Sequence, residues 1–219
     1  MTTWAWTALA LFAVWALTAF GVRAAVQRRR TGDAGFRGIS GRPGSATWWA
    51  GVLFVLALLG GAAAPAAALA GMPALPGTGD GTALRWTGLA AALAGMAATL
   101  VAQNGMGASW RVGVDAAERT QLVTSGLFAY VRNPVFTTMT VTAAGLALMV
   151  PNALAALAWL VLVLAVELQV RVVEEPYLAR VHGPAYAGYT ARAGRFVPGV
   201  GRHARAAGTS GAAGPPLPG

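Results

Sequence analysis

The chain has 219 residues, of which 56% are hydrophobic and only 11% are charged, and its mean hydropathy is +0.57. A soluble domain of this size could not bury so much apolar surface, so the composition excludes one and predicts an integral membrane protein. The formal net charge is +9 at pH 7. In so apolar a chain, basic residues set membrane topology, and we expect no nucleic-acid binding. The chain has no cysteine and only two histidines, which excludes disulfides and predicts no metal site.

Three apolar runs in the first half of the chain predict three membrane-spanning helices. They cover Trp4 to Val22, about Thr47 to Ala70 and about Leu84 to Gln103, and each is long enough to cross a bilayer. Arginines crowd the loop after the first run, which places this loop in the cytoplasm and the N-terminus outside. These are Arg23, Arg28, Arg29, Arg30, Arg37 and Arg42. Small residues along the third run predict close helix packing; they are Ala90, Ala91, Ala94, Gly95 and Ala98.

Residues 104–121 mix charged, small and apolar side chains. This composition predicts an interfacial segment on the cytoplasmic side, anchored by Trp110. Two further apolar runs follow, Val135 to Val150 and Ala153 to about Val173, with only Pro151-Asn152 between them. So short a break predicts a helical hairpin. The expected fold is therefore an all-α membrane bundle of about five spans, with a three-span region (1–103), a core (104–198) and a disordered tail (199–219).

The stretch 122–136 contains turn formers, aromatic residues and an arginine between the apolar runs. Asn133 followed by Pro134 predicts a helix start, because Asn caps exposed amides and Pro suits the first helical position. The free N–H groups of that helix, beside Arg132, would suit a carboxylate or phosphate. The alternative is an ordinary capped start of a membrane helix without a ligand.

A second charged cluster ends the last apolar run. Helical spacing puts Arg171 on one face with Glu167, Glu174 and Glu175. Charges at the end of a membrane helix are often functional, although an ion-pair ladder at the interface would produce the same pattern. Beyond them we expect a broken cytoplasmic helix in which His182, without a metal-ligand partner, is structural or solvated.

Both stretches resemble the isoprenylcysteine carboxyl methyltransferase and phospholipid methyltransferase superfamily. Leu-Val-Thr-Ser-Gly at 122–126 and Arg-Asn-Pro-Val-Phe at 132–136 are similar to its Leu-Val-Thr-x-Gly-x-Tyr and Arg-His-Pro-x-Tyr signature. The second half of the resemblance is Glu174-Glu175, followed by Gly-x-x-Tyr-x-x-Tyr at 183–189 and Arg-Phe-x-Pro at 195–198. Together they cover roughly residues 120–198.

The resemblance implies a membrane methyltransferase that uses S-adenosylmethionine, with a cytoplasm-facing cofactor pocket and a lipid-like acceptor that enters from the bilayer. It also places Arg171 close to the family's substrate-side arginine, which would orient the acceptor. From the chemistry alone, an amine acceptor would need to lose a proton, and Glu174 or Glu175 is then the candidate base. The implied cofactor contacts are Gln121, Leu122, Val123, Phe128, Asn133, Pro134, Val135, Phe136 and Glu174. Asn133 replaces the family's His and cannot titrate, so an acid or base role is not expected there.

The chemistry of the cofactor agrees with these residues. Its carboxylate suits the helix start at Asn133, and its sulfonium suits the aromatic faces of Phe128, Tyr130 or Phe136. Two other functions stay open: a membrane reductase that uses NADPH, and a non-catalytic membrane protein. A reductase would need more clustered basic residues than Arg132 and Arg171, and a non-catalytic role would leave both motif clusters unexplained. The sequence does not identify the methyl acceptor.

Overall fold

The computed structural model describes residues 2–35, 38–78, 81–107 and 122–203, and this part of the chain is helical without β-strands. The helices are α1 (Thr2–Ala16), α2 (Arg23–Thr31), α3 (Ala46–Leu69), α4 (Thr82–Gly105), α5 (Pro134–Met149), α6 (Ala153–Leu168) and α7 (Glu175–Thr190). In this part, four continuous helices are long and apolar enough to cross a membrane, and α5 is a shorter apolar helix. The predicted all-α membrane bundle is confirmed. The predicted interfacial segment with Trp110, and Gln121, lie outside the described residues.

The first helix continues past the predicted end of its apolar run. A π-helical turn (Leu17–Val22, the first π turn) joins α1 to α2, so that Thr2–Thr31 is one continuous helix. The prediction that a loop starts at Arg23 was therefore wrong. Arg23 is buried, and its guanidinium donates to the carbonyl oxygens of Gln103 (3.1 Å) and Gly107 (2.9 Å). These acceptors, at and just after the end of α4, satisfy the buried guanidinium. Arg23 can therefore lie within the continuous helix, where the sequence had predicted a loop.

Helices α4 and α5 approach each other very closely, as the small residues predicted. A methyl group added to Gly145 would lie 2.4 Å from the backbone nitrogen of Ala92, and one added to Gly88 would lie 2.6 Å from the carbonyl oxygen of Gly145. Of the small residues on which the prediction rested, Gly95 lies in this contact, whereas Ala90 and Ala94 are exposed. The residues that form it on α4 are Gly88, Ala92, Gly95 and Thr99.

The hairpin between α5 and α6 is present at Pro151-Asn152, and Asn152 fixes it. Its side-chain oxygen caps α6 by accepting from the amide of Ala155 (2.8 Å), and its Nδ2 donates to the carbonyl of Ala64 in α3 (2.9 Å). Because Asn152 is 2% exposed, both polar ends of its amide are satisfied inside the bundle. The hairpin is thereby tied to α3, which packs along α6.

A second π-helical turn (Gln169–Glu174, the second π turn) joins α6 to α7. The predicted break in the last helix is present at Gly183, whose φ of 47° lies in the left-handed region that glycine tolerates. The chain then returns towards α5. Residues 199–203, the start of the predicted tail, contact this end of the bundle: the amide of His203 donates to the carbonyl of Thr190 (3.1 Å). Residues 204–219 lie outside the described part.

Candidate active site

A cavity of about 450 Å³ lies at one end of the helix bundle. Its walls come from the end of α1, the start of α3, the end of α4, the start of α5 and the end of α6. All described residues that were predicted to contact a cofactor line it, and so does Glu175. They are Leu122, Val123, Phe128, Asn133, Pro134, Val135, Phe136 and Glu174. The fold therefore brings the two motif clusters to one cavity, as the sequence predicted.

One wall of the cavity is apolar and lies deeper between the helices. It contains aromatic and aliphatic side chains of the three N-terminal spans and the hairpin, and the sequence reasoning had not selected them. The principal ones are Ala16, Phe20, Phe54, Val55, Leu58, Met139, Ala165 and Val166. Their long apolar runs predict membrane burial, but no local pattern distinguishes the residues that border a cavity from those that face lipid.

The polar wall is built around Glu175. One of its carboxylate oxygens accepts from Arg132 (2.9 Å), and Arg195 donates to both oxygens (2.8 Å each). The side chains of Arg132 and Glu175 are 2% and 12% exposed, so this is a largely buried charge cluster. The hydrogen bond that Arg195 donates to Glu175 is the main reason that the pKa of Arg195 is raised above its ordinary value.

Arg132 holds the C-terminal residues in place rather than facing an open anion site. Its guanidinium also donates to the carbonyl oxygens of Thr190 (3.3 Å), Ala193 (2.7 Å) and Gly201 (3.0 Å). The sequence predicted an anion site formed by the N–H groups of the helix start beside Arg132, and in the structure the guanidinium of Arg132 is turned towards these C-terminal residues. Its charge is neutralised by Glu175, 43 residues further along the chain, and no local pattern predicts such a pairing.

The start of α5 is paired with the segment after α7. The amide of Asn133 and its side-chain Nδ2 both donate to the carbonyl of Arg195, at 3.2 Å each. Pro134 occupies the first helical position as predicted, but the Asn133 side chain makes no capping hydrogen bond. Val135 and Phe136 line the cavity, and their amides belong to the first turn of α5, where N–H groups have no partner within the helix.

The second π turn separates the charged residues that regular helical spacing had grouped. Glu174 faces the cavity, where its carboxylate accepts from Gln169 (3.1 Å). Among the residues that the structure describes, Arg171 pairs with Glu167 alone; its side chain is 55% exposed, and it does not belong to the cavity lining. In a π turn the hydrogen bonds run from residue i to i+5, so the spacing of an ordinary α-helix did not predict these positions.

Three tyrosines complete the wall that α7 contributes, and the predicted contacts did not include them. Tyr177, Tyr186 and Tyr189 are buried and line the cavity. The hydroxyl of Tyr189 donates to the carbonyl of Phe128 (2.7 Å), which ties α7 to the first motif. Two of the three belong to the Gly-x-x-Tyr-x-x-Tyr pattern, so that pattern was the available signal. Tyr130, in contrast, is 66% exposed and outside the lining.

Fold and cavity together define an integral membrane helical protein with a ligand-sized site at one end of its bundle. Residues 83–185, just under half of the chain, match the family model described as phospholipid methyltransferase. The match confirms the predicted resemblance to the isoprenylcysteine carboxyl methyltransferase and phospholipid methyltransferase superfamily, and it supports methyltransferase activity in a membrane protein. No curated protein matches the chain significantly.

Proposed function

We propose that the protein transfers a methyl group from S-adenosylmethionine to a lipid-like acceptor, such as an isoprenylcysteine-type carboxylate. The observation that carries the proposal is that one cavity is bordered by both motif clusters and by an apolar wall. The motif side suits a charged, water-soluble cofactor. The apolar side, which lies between membrane helices, suits a hydrophobic tail.

The residues of the motif side fit the cofactor. The N-terminus of α5 offers the amides of Val135 and Phe136 to its carboxylate. Phe128 and Phe136 line the cavity and provide aromatic faces for a sulfonium cation. When bound, S-adenosylmethionine supplies an activated methyl group, and the chain contributes orientation and a site shielded from water.

We assign the steps that involve the acceptor to Glu174, Glu175 and Arg171. An amine nucleophile must lose a proton, and Glu174 is better suited to take it than Glu175, because guanidinium groups bind both oxygens of Glu175. A carboxylate nucleophile needs no base. For such an acceptor Arg171 remains the predicted orienting residue, although it would have to turn from Glu167 towards the cavity.

We further propose that the protein lies in the inner (plasma) membrane with its N-terminus outside and the cavity on the cytoplasmic side. The cluster of basic residues in 23–42 and their scarcity near the opposite ends of the helices support this orientation. Reporter fusions after Arg42, Gly79 and Val200 should read inside, outside and inside. A cytoplasmic signal after Gly79 would contradict the orientation.

The cofactor is tested by binding to the detergent-solubilised full chain. S-adenosylhomocysteine should bind at micromolar concentration and NADPH should not. Binding of NADPH alone would favour a reductase, and binding of neither would favour a non-catalytic protein; either result would refute the proposal.

A further inference from the structure

A second, smaller cavity adjoins the apolar wall of the candidate site. This inner cavity has a volume of about 40 Å³ and lies between α1, α3, α5 and α6. Its described lining residues carry no charge, and each of them is buried or half-buried, so the inner cavity lies within the bundle. Among the described residues, Leu58 of α3 alone lines both cavities. Leu58 therefore stands between the two spaces.

Leu58 lies at the end of the candidate cavity that is farthest from the polar residues of α3 and α5. On α3 the lining runs from Thr47 to Leu58, which corresponds to about 16 Å of helix at about 1.5 Å per residue. On α5 it runs from Asn133 to Met139, and Leu58 packs against the buried cluster that contains Met139. On both helices the polar residue lies near the motif clusters and the apolar residue lies deeper in the bundle.

This deep end of the cavity suits the tail of the acceptor and not the cofactor. S-adenosylmethionine carries a carboxylate, an ammonium group and hydroxyls, and such groups need polar partners when they are buried. Around Leu58 the cavity offers the side chains of Phe54 and Met139, which pack favourably with a hydrocarbon chain. An acceptor whose head group lies among the motif residues can extend its tail along the apolar wall as far as Leu58.

We propose that Leu58 is the floor of the acceptor site and limits the length of the apolar tail that the protein accepts. This inference rests on the proposed methyltransferase function and deepens it, because it defines the acceptor by the length of its tail. A tail that ends at Leu58 fills the space along the apolar wall, whereas a longer one meets the leucine side chain. The inner cavity beyond has room for about three water-sized groups, and Leu58 blocks the tail from it.

A chain-length series measures this limit. The probes are N-acetyl-S-alkyl-cysteines with straight chains from hexyl to octadecyl, and their binding to the detergent-solubilised full chain is measured with saturating S-adenosylhomocysteine. Comparing two proteins at the same chain length cancels the partition of the probe into detergent.

Substitutions at Leu58 should move the preferred chain length in opposite directions. Leu58→Ala removes about three carbons and opens the inner cavity, so its preferred chain should be longer than that of the wild type by about three carbons or more. At that length the variant should bind about tenfold more tightly than the wild type, which corresponds to roughly 1.4 kcal/mol, whereas hexyl probes should bind nearly equally. Leu58→Phe adds about three carbons and should shorten the preferred chain.

Leu59→Ala is the matched control, because Leu59 is the next residue, is 62% exposed and lines neither cavity. This variant should keep the wild-type preference. A wild type without a preferred chain length, or the same preferred length in the wild type and both Leu58 variants, would overturn the inference. If Leu58→Ala fails to fold, Leu58→Phe decides by whether its preferred chain is shorter. S-adenosylhomocysteine binding, measured first, tests the proposed function, and the series repeated without it tests the tail site, so the two can fail separately.

Discussion

Replacing Glu175 by glutamine should destabilise the fold by about 3 kcal/mol, because the change removes the negative charge that Arg132 and Arg195 share. Removing one partner of a buried ion pair costs about 3–5 kcal/mol, since the other charge is left uncompensated. We expect the lower end of this range. Arg132 keeps three carbonyl acceptors, and the side chain of Arg195 is 16% exposed.

Thermal unfolding in detergent, followed by tryptophan fluorescence, measures the effect. For a chain of this length, 1 kcal/mol corresponds to about 2–4 °C in Tm, so Glu175→Gln should lower Tm by about 6–12 °C. Glu167→Gln is the matched control, because Glu167 pairs with Arg171 at the surface. Exposed pairs contribute about 0–1 kcal/mol, and the control should shift Tm by less than about 4 °C.

The difference between wild type and Glu175→Gln should also be independent of pH from about 7 to 10. The pKa of Arg195 is raised by its hydrogen bond to Glu175, so its contribution is complete below the ordinary pKa of arginine, which lies well above this pH range, and is lost only as the pH rises beyond it. If Glu175→Gln and Glu167→Gln shift Tm equally, the charge cluster does not stabilise the fold and the reasoning from burial is wrong.

Three further substitutions test other contacts. Asn133→Ala removes a side-chain donor at the cavity wall; because a hydrogen bond from it to the cofactor would be worth about 1 kcal/mol, S-adenosylhomocysteine should bind about fivefold more weakly, while Asn133→His should bind at least as well as the alanine variant; unchanged affinity in a folded alanine variant would place the cofactor elsewhere. Gly145→Ala should destabilise the protein by about 1–3 kcal/mol through overpacking between α4 and α5, measured by Tm, and Gly188→Ala, whose added methyl meets no atom closer than 3.8 Å, should not. Arg171→Lys should keep cofactor binding but lose about tenfold or more in turnover of an anionic acceptor, because lysine lacks the planar fork that binds a carboxylate in two places; turnover within about threefold of wild type would instead assign Arg171 only to its exposed ion pair with Glu167.

The sequence predicted those features of the fold that depend on composition over many residues. Apolar runs gave the spanning helices, and Pro151-Asn152 gave the hairpin, because bilayer length and helix-breaking residues act locally. The continuation of the first helix through Arg23 was missed. Its buried guanidinium depends on carbonyl oxygens at Gln103 and Gly107, 80 and 84 residues away, and local patterns contain no information about acceptors at that distance.

The same distinction between local and long-range information applies to the residues of the candidate site. The motifs identified the residues around the cavity, because each motif is local and its two segments converge. The hydrogen-bond partners of the individual polar groups were not predictable. Asn133 has the residue type and position of a helix cap, yet its side chain donates to the carbonyl of Arg195, 62 residues further on. Arg171 and Glu175 were grouped on one face because regular α-helical spacing was assumed across the second π turn.

The pairing of Arg132 with the C-terminal residues determines when, during synthesis of the chain, the polar wall of the site can form. Arg132 donates to the carbonyl of Gly201, 69 residues later. At a synthesis rate of about 5–20 residues per second, roughly 3–14 seconds pass between the addition of these two residues by the ribosome. During that interval α5 and α6 can enter the bilayer while the polar wall lacks its last contacts. The polar wall of the site is therefore completed only after Gly201 has been synthesised.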